Sequence, residues 1–278
     1  GKYLTTRHIK ARLERELEVN VGLKVENANN KEAFKVSGRG ELHLSVLLEN
    51  MRREGYEIAV SKPEVLMKEI DGKLNEPIER VLVDVPEKYS GTVIEKLNKR
   101  RGMMQSMQSE NGYVELDYLV PTRGLIGYRS EFINDTRGEG TIVRSFEKYE
   151  PYKGEVPKRS NGVLVSGNNG TAMAYALSNL TERGKLFIEP GTEVYEGMII
   201  GVNNRDNDLT VNPCKNKKLT NVRAAGSDDA LKLPPATKMD LEDALEFIDD
   251  DELVEVTPKN IRMRKKILNE KMRLKKQR

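Results

Sequence analysis

The sequence predicts an α+β chain: two ferredoxin-like βαββαβ domains, the first lacking its opening strand, followed by a mostly β C-terminal domain. Three observations carry this. Helix and strand periodicities alternate in the same order twice, from about Thr5 to Ser61 and from about Pro77 to Tyr149. Both copies read helix, two strands, helix, strand, and the second also has a clear opening strand, which completes a split βαβ unit. After Pro151 the pattern fits neither copy. The expected domains are therefore 1–63, 64–150 and 151–278.

In the first copy, Thr5 or Thr6 caps a helix whose apolar stripe is Ile9, Leu13 and Leu17. Val21, Leu23 and Val25 alternate as a strand, Asn27–Asn30 is a turn, and Phe34 and Val36 return. Gly38-Arg39-Gly40 breaks the chain, Leu44, Leu47, Leu48 and Met51 share one helical face, and Gly55 suits a helix stop before Tyr56, Ile58 and Val60. Gly1–Leu4 are too few for the missing first strand, so an N-terminal strand is expected to be absent from the chain. Lys62-Pro63 is a joint. Val65–Ile70 and Ile78–Val85 read as strands around Asp71-Gly72, and Val93, Ile94 and Leu97 as a helix ending near Gly102. Met103–Met107 and Tyr113–Val120 form a hairpin around Glu110-Asn111-Gly112. Leu125, Ile126 and Phe132 mark a second helix, and Thr141–Phe146 closes the copy. Beyond Pro151, short strands are expected at Gly162–Ser166, Thr171–Ala174 and Met198–Val202. A helix is expected over Ala176–Arg183 with its stop at Gly184, another behind Asp240 through Phe247, and a hairpin at Leu253–Val256 and Ile261–Met263.

The 278 residues are 37% hydrophobic, enough for several small cores. One third of the side chains are charged, yet the net charge is only +3, so distribution matters more than total. A single cysteine, Cys214, permits no internal disulfide and fits a reducing, cytoplasmic setting. No run approaches the length of a membrane span. The chain opens at Gly1 without an initiator Met, which suggests a piece of a larger protein.

No catalytic constellation is legible. There is no GxxxxGK[ST] loop and no Rossmann fingerprint, and Gly38-Arg39-Gly40 reads as a tight entry into a helix. His8 and His43 lack a second ligand at metal spacing, and Cys214 has no His or Cys partner. Asp249-Asp250-Asp251-Glu252 reads as a solvated acidic loop, because consecutive residues cannot all converge on one ion. No catalytic, cofactor or metal site is therefore expected in this chain.

Two stretches read as binding surface. The first is the long polar loop 203–229, with Arg205, Lys215, Lys217, Lys218 and Arg223 to neutralise phosphates and Asn212, Asn216 and Asn221 to bond sugars or base edges. A plain surface loop without a partner is the competing reading. The second is the tail: from Lys259 to Arg278 ten basic residues stand against Glu270 alone. Lys265 and Lys266, in the basic tail 264–278, complete the candidate set, since such a stretch is a general phosphate binder. Stacking of bases on the sheets is not expected. Aromatics are 5% of the chain without tryptophan, and Tyr113 and Tyr118 fall on opposite strand faces.

Specific strings then point to a family. Val36-Ser-Gly-Arg-Gly-Glu-Leu-His-Leu44 resembles the third domain of translational GTPases of the elongation factor G superfamily. Pro121-Thr-Arg-Gly-Leu-Ile-Gly-Tyr-Arg-Ser-Glu-Phe132 is similar to its counterpart in their fifth domain. The direct passage through Lys62-Pro63, with no domain between, departs from elongation factor G itself. Asn207–Asn212, Lys217–Gly226 and Leu245–Val254 resemble the C-terminal domain special to TypA/BipA. The resemblance implies a ribosome-binding GTPase tied to stress adaptation and large-subunit assembly, its partners being 23S rRNA, A-site tRNA and ribosomal proteins, with no membrane or DNA partner. It implies that GTP and Mg belong to a G domain outside this chain, so this chain is not expected to be an enzyme although the parent would hydrolyse GTP. It also implies that the loop 203–229 reaches towards the peptidyl-transferase centre. A monomer is expected, with dimerisation through the bare first sheet edge as the other possibility. A different class of function, a small-molecule regulatory module built from paired ferredoxin-like domains, remains the alternative.

Overall fold

The computed structural model describes residues 1–29, 32–216 and 232–276. The chain forms two compact units, one of residues 1–62 and 159–278, the other of residues 63–158, so the joint at Lys62-Pro63 is a true boundary.

The first unit opens with α1 (Thr6–Val19), behind Thr5, whose hydroxyl accepts the His8 N–H at 3.3 Å. β1 (Lys24–Asn27) and β2 (Phe34–Ser37) form an antiparallel hairpin. The strand starts three residues later than the alternation suggested. Leu23 N–H bonds Asn20 O in a turn after the helix, and this leaves Val21 97% exposed. α2 (Glu41–Glu54) follows the tight Gly38–Gly40 entry and stops at Gly55, with φ of 105°. Leu13, Leu23, Leu47, Met51 and Tyr56 make a small core under these elements. β3 (Ile58–Ser61) ends the segment.

The second unit contains β4 (Lys68–Ile70), β5 (Lys73–Pro86), α3 (Glu87–Lys99), β6 (Met103–Glu110), β7 (Tyr113–Pro121), a 3₁₀ turn at Thr122–Leu125, α4 (Tyr128–Asp135) and β8 (Thr141–Pro151). The strands stand in the order β8–β5–β7–β6, antiparallel throughout, with β4 beside the start of β5. This is the complete ferredoxin-like arrangement that the periodicity predicts. Both hairpins turn on pairs with positive φ, Asp71 (51°) with Gly72 (73°) and Asn111 (53°) with Gly112 (80°), the geometry that matches strand twist. Val81, Val83 and Val85 alternate inward from β5 against Val93 and Leu97 of α3 and Tyr128 and Phe132 of α4. The second helix is shorter than its apolar spacing suggests, because Gly127 at φ 76° separates the 3₁₀ turn from α4. Arg123 is structural: its guanidinium bonds the fully buried Glu76 and the Gly154 carbonyl, and stacks 4.3 Å over the Tyr152 ring.

The rest of the first unit comprises β9 (Val163–Ser166), β10 (Gly170–Thr171), α5 (Ala174–Leu180), β11 (Gly184–Leu186), β12 (Glu193–Val194), β13 (Met198–Asn203), β14 (Leu209–Val211), α6 (Leu241–Phe247), β15 (Glu252–Val256), β16 (Ile261–Lys265) and α7 (Glu270–Lys276). Its main sheet runs β14–β9–β13–β16–β15–β3, with β11 also paired to β13. β9 is apolar on both sides because both faces of the sheet are covered. Val163 and Val165 meet Leu241, Ala244 and Leu245 of α6, while Leu164 meets Leu177 and Leu180 of α5. Asp240 closes a capping box with Asp243 at the start of α6.

β3 does not return to the β1–β2 hairpin. It lies antiparallel on β15, with Val60 opposite Val254 and Ile58 opposite Val256. Leu48 of α2 joins Ile58 and Val60 against the α6 cluster, and Arg52 Nε donates to Thr257 O at 2.7 Å. Where separate domains 1–63 and 151–278 are expected, residues 1–62 and 159–278 fall in one compact unit, with β3 paired to β15 and β1–β2 left as a two-stranded hairpin. Gly184 is also not a helix stop but the start of β11. A Cβ there would stand 1.9 Å from the Val202 carbonyl oxygen of the partner strand. Gly184→Ala is expected to destabilise the protein by about 1–3 kcal/mol, as overpacking against backbone does. A shift in urea midpoint with unchanged far-ultraviolet circular dichroism is the measure.

Candidate nucleic-acid interface

The start of the expected loop 203–229 is ordered. Asn203 is buried and donates through Nδ2 to Asn207 O at 2.6 Å, Arg205 O accepts from Gly162 N at 2.8 Å, and Asp208 accepts from Val163 N at 2.9 Å. β14 then runs parallel to β9, Pro213 O accepts from Met173 N, and Asn212 Oδ1 accepts from Cys214 N at 2.9 Å. The Arg205 side chain is exposed and has no ion-pair partner among the described residues. Asn212, Lys215 and Asn216 are exposed as the strand runs out. Lys217, Lys218, Asn221 and Arg223 lie outside the described residues.

The structure removes Lys265 from the candidates. Its side chain is 2% exposed, and Nζ lies 2.6 Å from Asp208, 3.0 Å from Asp251 and 3.0 Å from Glu252. Glu252 is itself fully buried and holds Arg159 in a bidentate pair at 2.7 and 3.2 Å. Arg159 Nη1 also donates to Phe247 O at 2.9 Å. Burial disfavours the Lys265 ammonium most strongly, yet the three carboxylates outweigh it and hold the group above the ordinary lysine range. The acidic run is an exposed loop through Asp250 and Asp251, but its last member, Glu252, is fully buried. Asp251 and Glu252 neutralise Lys265, and Asp249 lies 3.8 Å from Lys62. Alternation on β16 puts Lys265 inward, whereas Lys266 is exposed. The tail charge count could not make that distinction.

The tail continues into α7, capped by Asn269, whose Oδ1 accepts from Met272 N at 3.2 Å and whose Nδ2 donates to Glu196 at 2.9 Å. Arg273 reaches back to the carbonyls of Ile267 (3.0 Å) and Leu268 (2.5 Å) and to Thr210 Oγ1 on β14 (3.4 Å). The two stretches that the sequence offered separately therefore meet at β14. Asn269 and Arg273, the residues that join them, were not singled out from the sequence. An Asn before Glu270 was the available signal, as a helix cap.

Other candidates resolve structurally. His43 sits between the Asn20 amide (2.7 Å) and the Arg39 backbone N–H (3.1 Å), inside the helix entry. Cys214 is partly buried, and its thiol is pushed up by that burial. Among the described residues no group of three or more His, Cys, Asp or Glu is placed to hold a metal, and no helix is long and apolar enough to cross a membrane. Tyr113 is exposed and Tyr118 is buried with its hydroxyl on Asn98 at 3.1 Å, so no aromatic platform spans β7.

Residues 161–270 match the model of the TypA/BipA C-terminal domain, and residues 73–160 match that of the elongation factor G C-terminus. The chain is 56% identical over 272 residues to the large ribosomal subunit assembly factor BipA of Salmonella typhimurium, an alignment that takes in 97% of this chain and 45% of that protein. Its counterpart from Haemophilus influenzae is 56% identical over the same length, covering 97% and 44%. That of Bacillus subtilis is 53% identical over 275 residues, covering 98% and 45%. The chain thus spans a little under half the length of these relatives. It carries a TypA/BipA C-terminal domain behind an elongation factor G C-terminal domain, which is consistent with a C-terminal fragment of the TypA/BipA family.

Proposed function

We propose that the chain is the ribosome-docking part of a translational GTPase acting in large-subunit assembly and stress adaptation. On this reading it contacts 23S rRNA, the A-site tRNA and ribosomal proteins. The relatives are named as large ribosomal subunit assembly factors. The observation that carries the reading is the meeting of β14, which leads to Lys215 and Asn216, with the basic helix α7. Cations there are exposed on a fixed frame, which suits positioning by phosphate contact with little reading of sequence. GTP is held elsewhere in such proteins, so no saturable binding is expected when this chain is titrated with a fluorescent GTP analogue.

Replacing Lys215, Lys217, Lys218 and Arg223 together with Ala is expected to weaken co-sedimentation with ribosomes at least tenfold while the melting temperature stays unchanged. Each lost phosphate contact should also flatten the salt dependence by about one unit of log–log slope. Undiminished binding with a shallow salt dependence would overturn the proposal.

A further inference from the structure

We infer that the outer face of α7 and the end of β14 form one RNA-phosphate-binding surface, with Arg273 as its positioning residue. The inference rests on the proposed RNA-docking role and assigns it a place. Lys271, Lys275 and Lys276 on α7, Lys266 before it, and Lys215 after β14 are all exposed, and none has an ion-pair partner among the described residues. Glu270 is the acidic side chain of α7, and nearby Glu196, in the turn between β12 and β13, is engaged by Asn269.

Helix geometry decides which lysines face a partner. At 3.6 residues per turn, Lys271 and Lys275 lie about 160° around α7 from Arg273. Arg273 points inward at Ile267 O, Leu268 O and Thr210. Lys271 and Lys275 therefore point away from the protein body, one turn apart and about 6 Å along the axis. Seven residues do not hold a helix in water by themselves. The Asn269 cap, its bond to Glu196 and the three-acceptor grip of Arg273 supply the order instead. A lysine at position 273 would keep the charge but could not span two carbonyls and a hydroxyl, because only the planar guanidinium presents a fork of donors. RNA is favoured over an anionic membrane. α7 is short, and its exposed apolar side chains, Met272 and Leu274, lie on different sides of it, not in one stripe.

The test is fluorescence anisotropy of the full 278-residue chain on a labelled RNA hairpin of about twenty base pairs across a salt series, beside vesicles of phosphatidylglycerol. Wild type is expected to bind the hairpin. The K271A/K275A double variant should bind about tenfold more weakly with a log–log slope shallower by about two. Arg273→Lys, which retains every charge, should weaken binding nearly as much as Arg273→Gln. Thr210→Val should show a smaller loss of the same kind. RNA binding that K271A/K275A leaves untouched overturns the inference while the docking role stands on other residues. A chain that binds the vesicles and not the hairpin overturns both.

Discussion

Lys265→Ala is expected to cost about 3–5 kcal/mol, the loss seen when one partner of a buried ionic cluster is removed. The substitution would leave Glu252, fully buried, with Arg159 as its remaining cation, and would leave Asp208 and Asp251 without the cation that draws them together. Asp208 also bonds the Val163 backbone, so the damage reaches β9 and the root of β14. The pH dependence follows from the direction of the shift. A lysine held above its ordinary range contributes fully below that range, and its contribution fades only as the pH climbs through the raised value. The effect is therefore present at neutral pH. Urea denaturation should show it, with Lys266→Ala next door, on an exposed side chain, changing stability by less than about 0.5 kcal/mol. Equal, small losses at the two positions would mean that the cluster is not a structural centre.

The same pair of lysines marks what the sequence could and could not say. Both belong to a basic tail, and charge counting treats them alike. Only the alternation of β16, anchored by Met263 in the core, turns Lys265 inward. Local signals did well where local chemistry decides: Thr5 and Asp240 cap helices, and Asn111-Gly112 turns a hairpin. The second unit was legible in outline because its strand pairings and its core lie within one copy of the pattern. The pairing of β3 with β15 was not legible. Any half-buried strand reads alike whichever partner it takes, and the register of two strands nearly two hundred residues apart is written in neither. Gly184 misled for a related reason. A glycine after a helix reads as a stop, and the close approach of Val202 that demands it comes from another strand.

That long-range pairing gives a second large effect. Residues 63–158, expressed alone, are expected to fold, since the core of Val81, Val83, Val85, Leu97, Tyr118 and Phe132 lies wholly within them. Residues 159–278 alone are expected to be unstable. Without residues 1–62, β15 loses the partner of its outer edge, and Leu48, Ile58 and Val60 leave the α6 cluster. Three partly buried aliphatic side chains correspond to roughly 3–5 kcal/mol of apolar burial, against a typical domain stability of about 5–15 kcal/mol. With β16 on its other side, β15 would also become an open edge strand carrying Val254 and Val256, a template for aggregation. Adding residues 1–62 as a separate chain should restore solubility and a cooperative melt, because β3 brings back both the edge bonds and the apolar cover. A monomeric, cooperatively melting 159–278 fragment that gains nothing from residues 1–62 would show that the β3–β15 seam is incidental, and that the C-terminal part is a domain in its own right, as the sequence alone suggested.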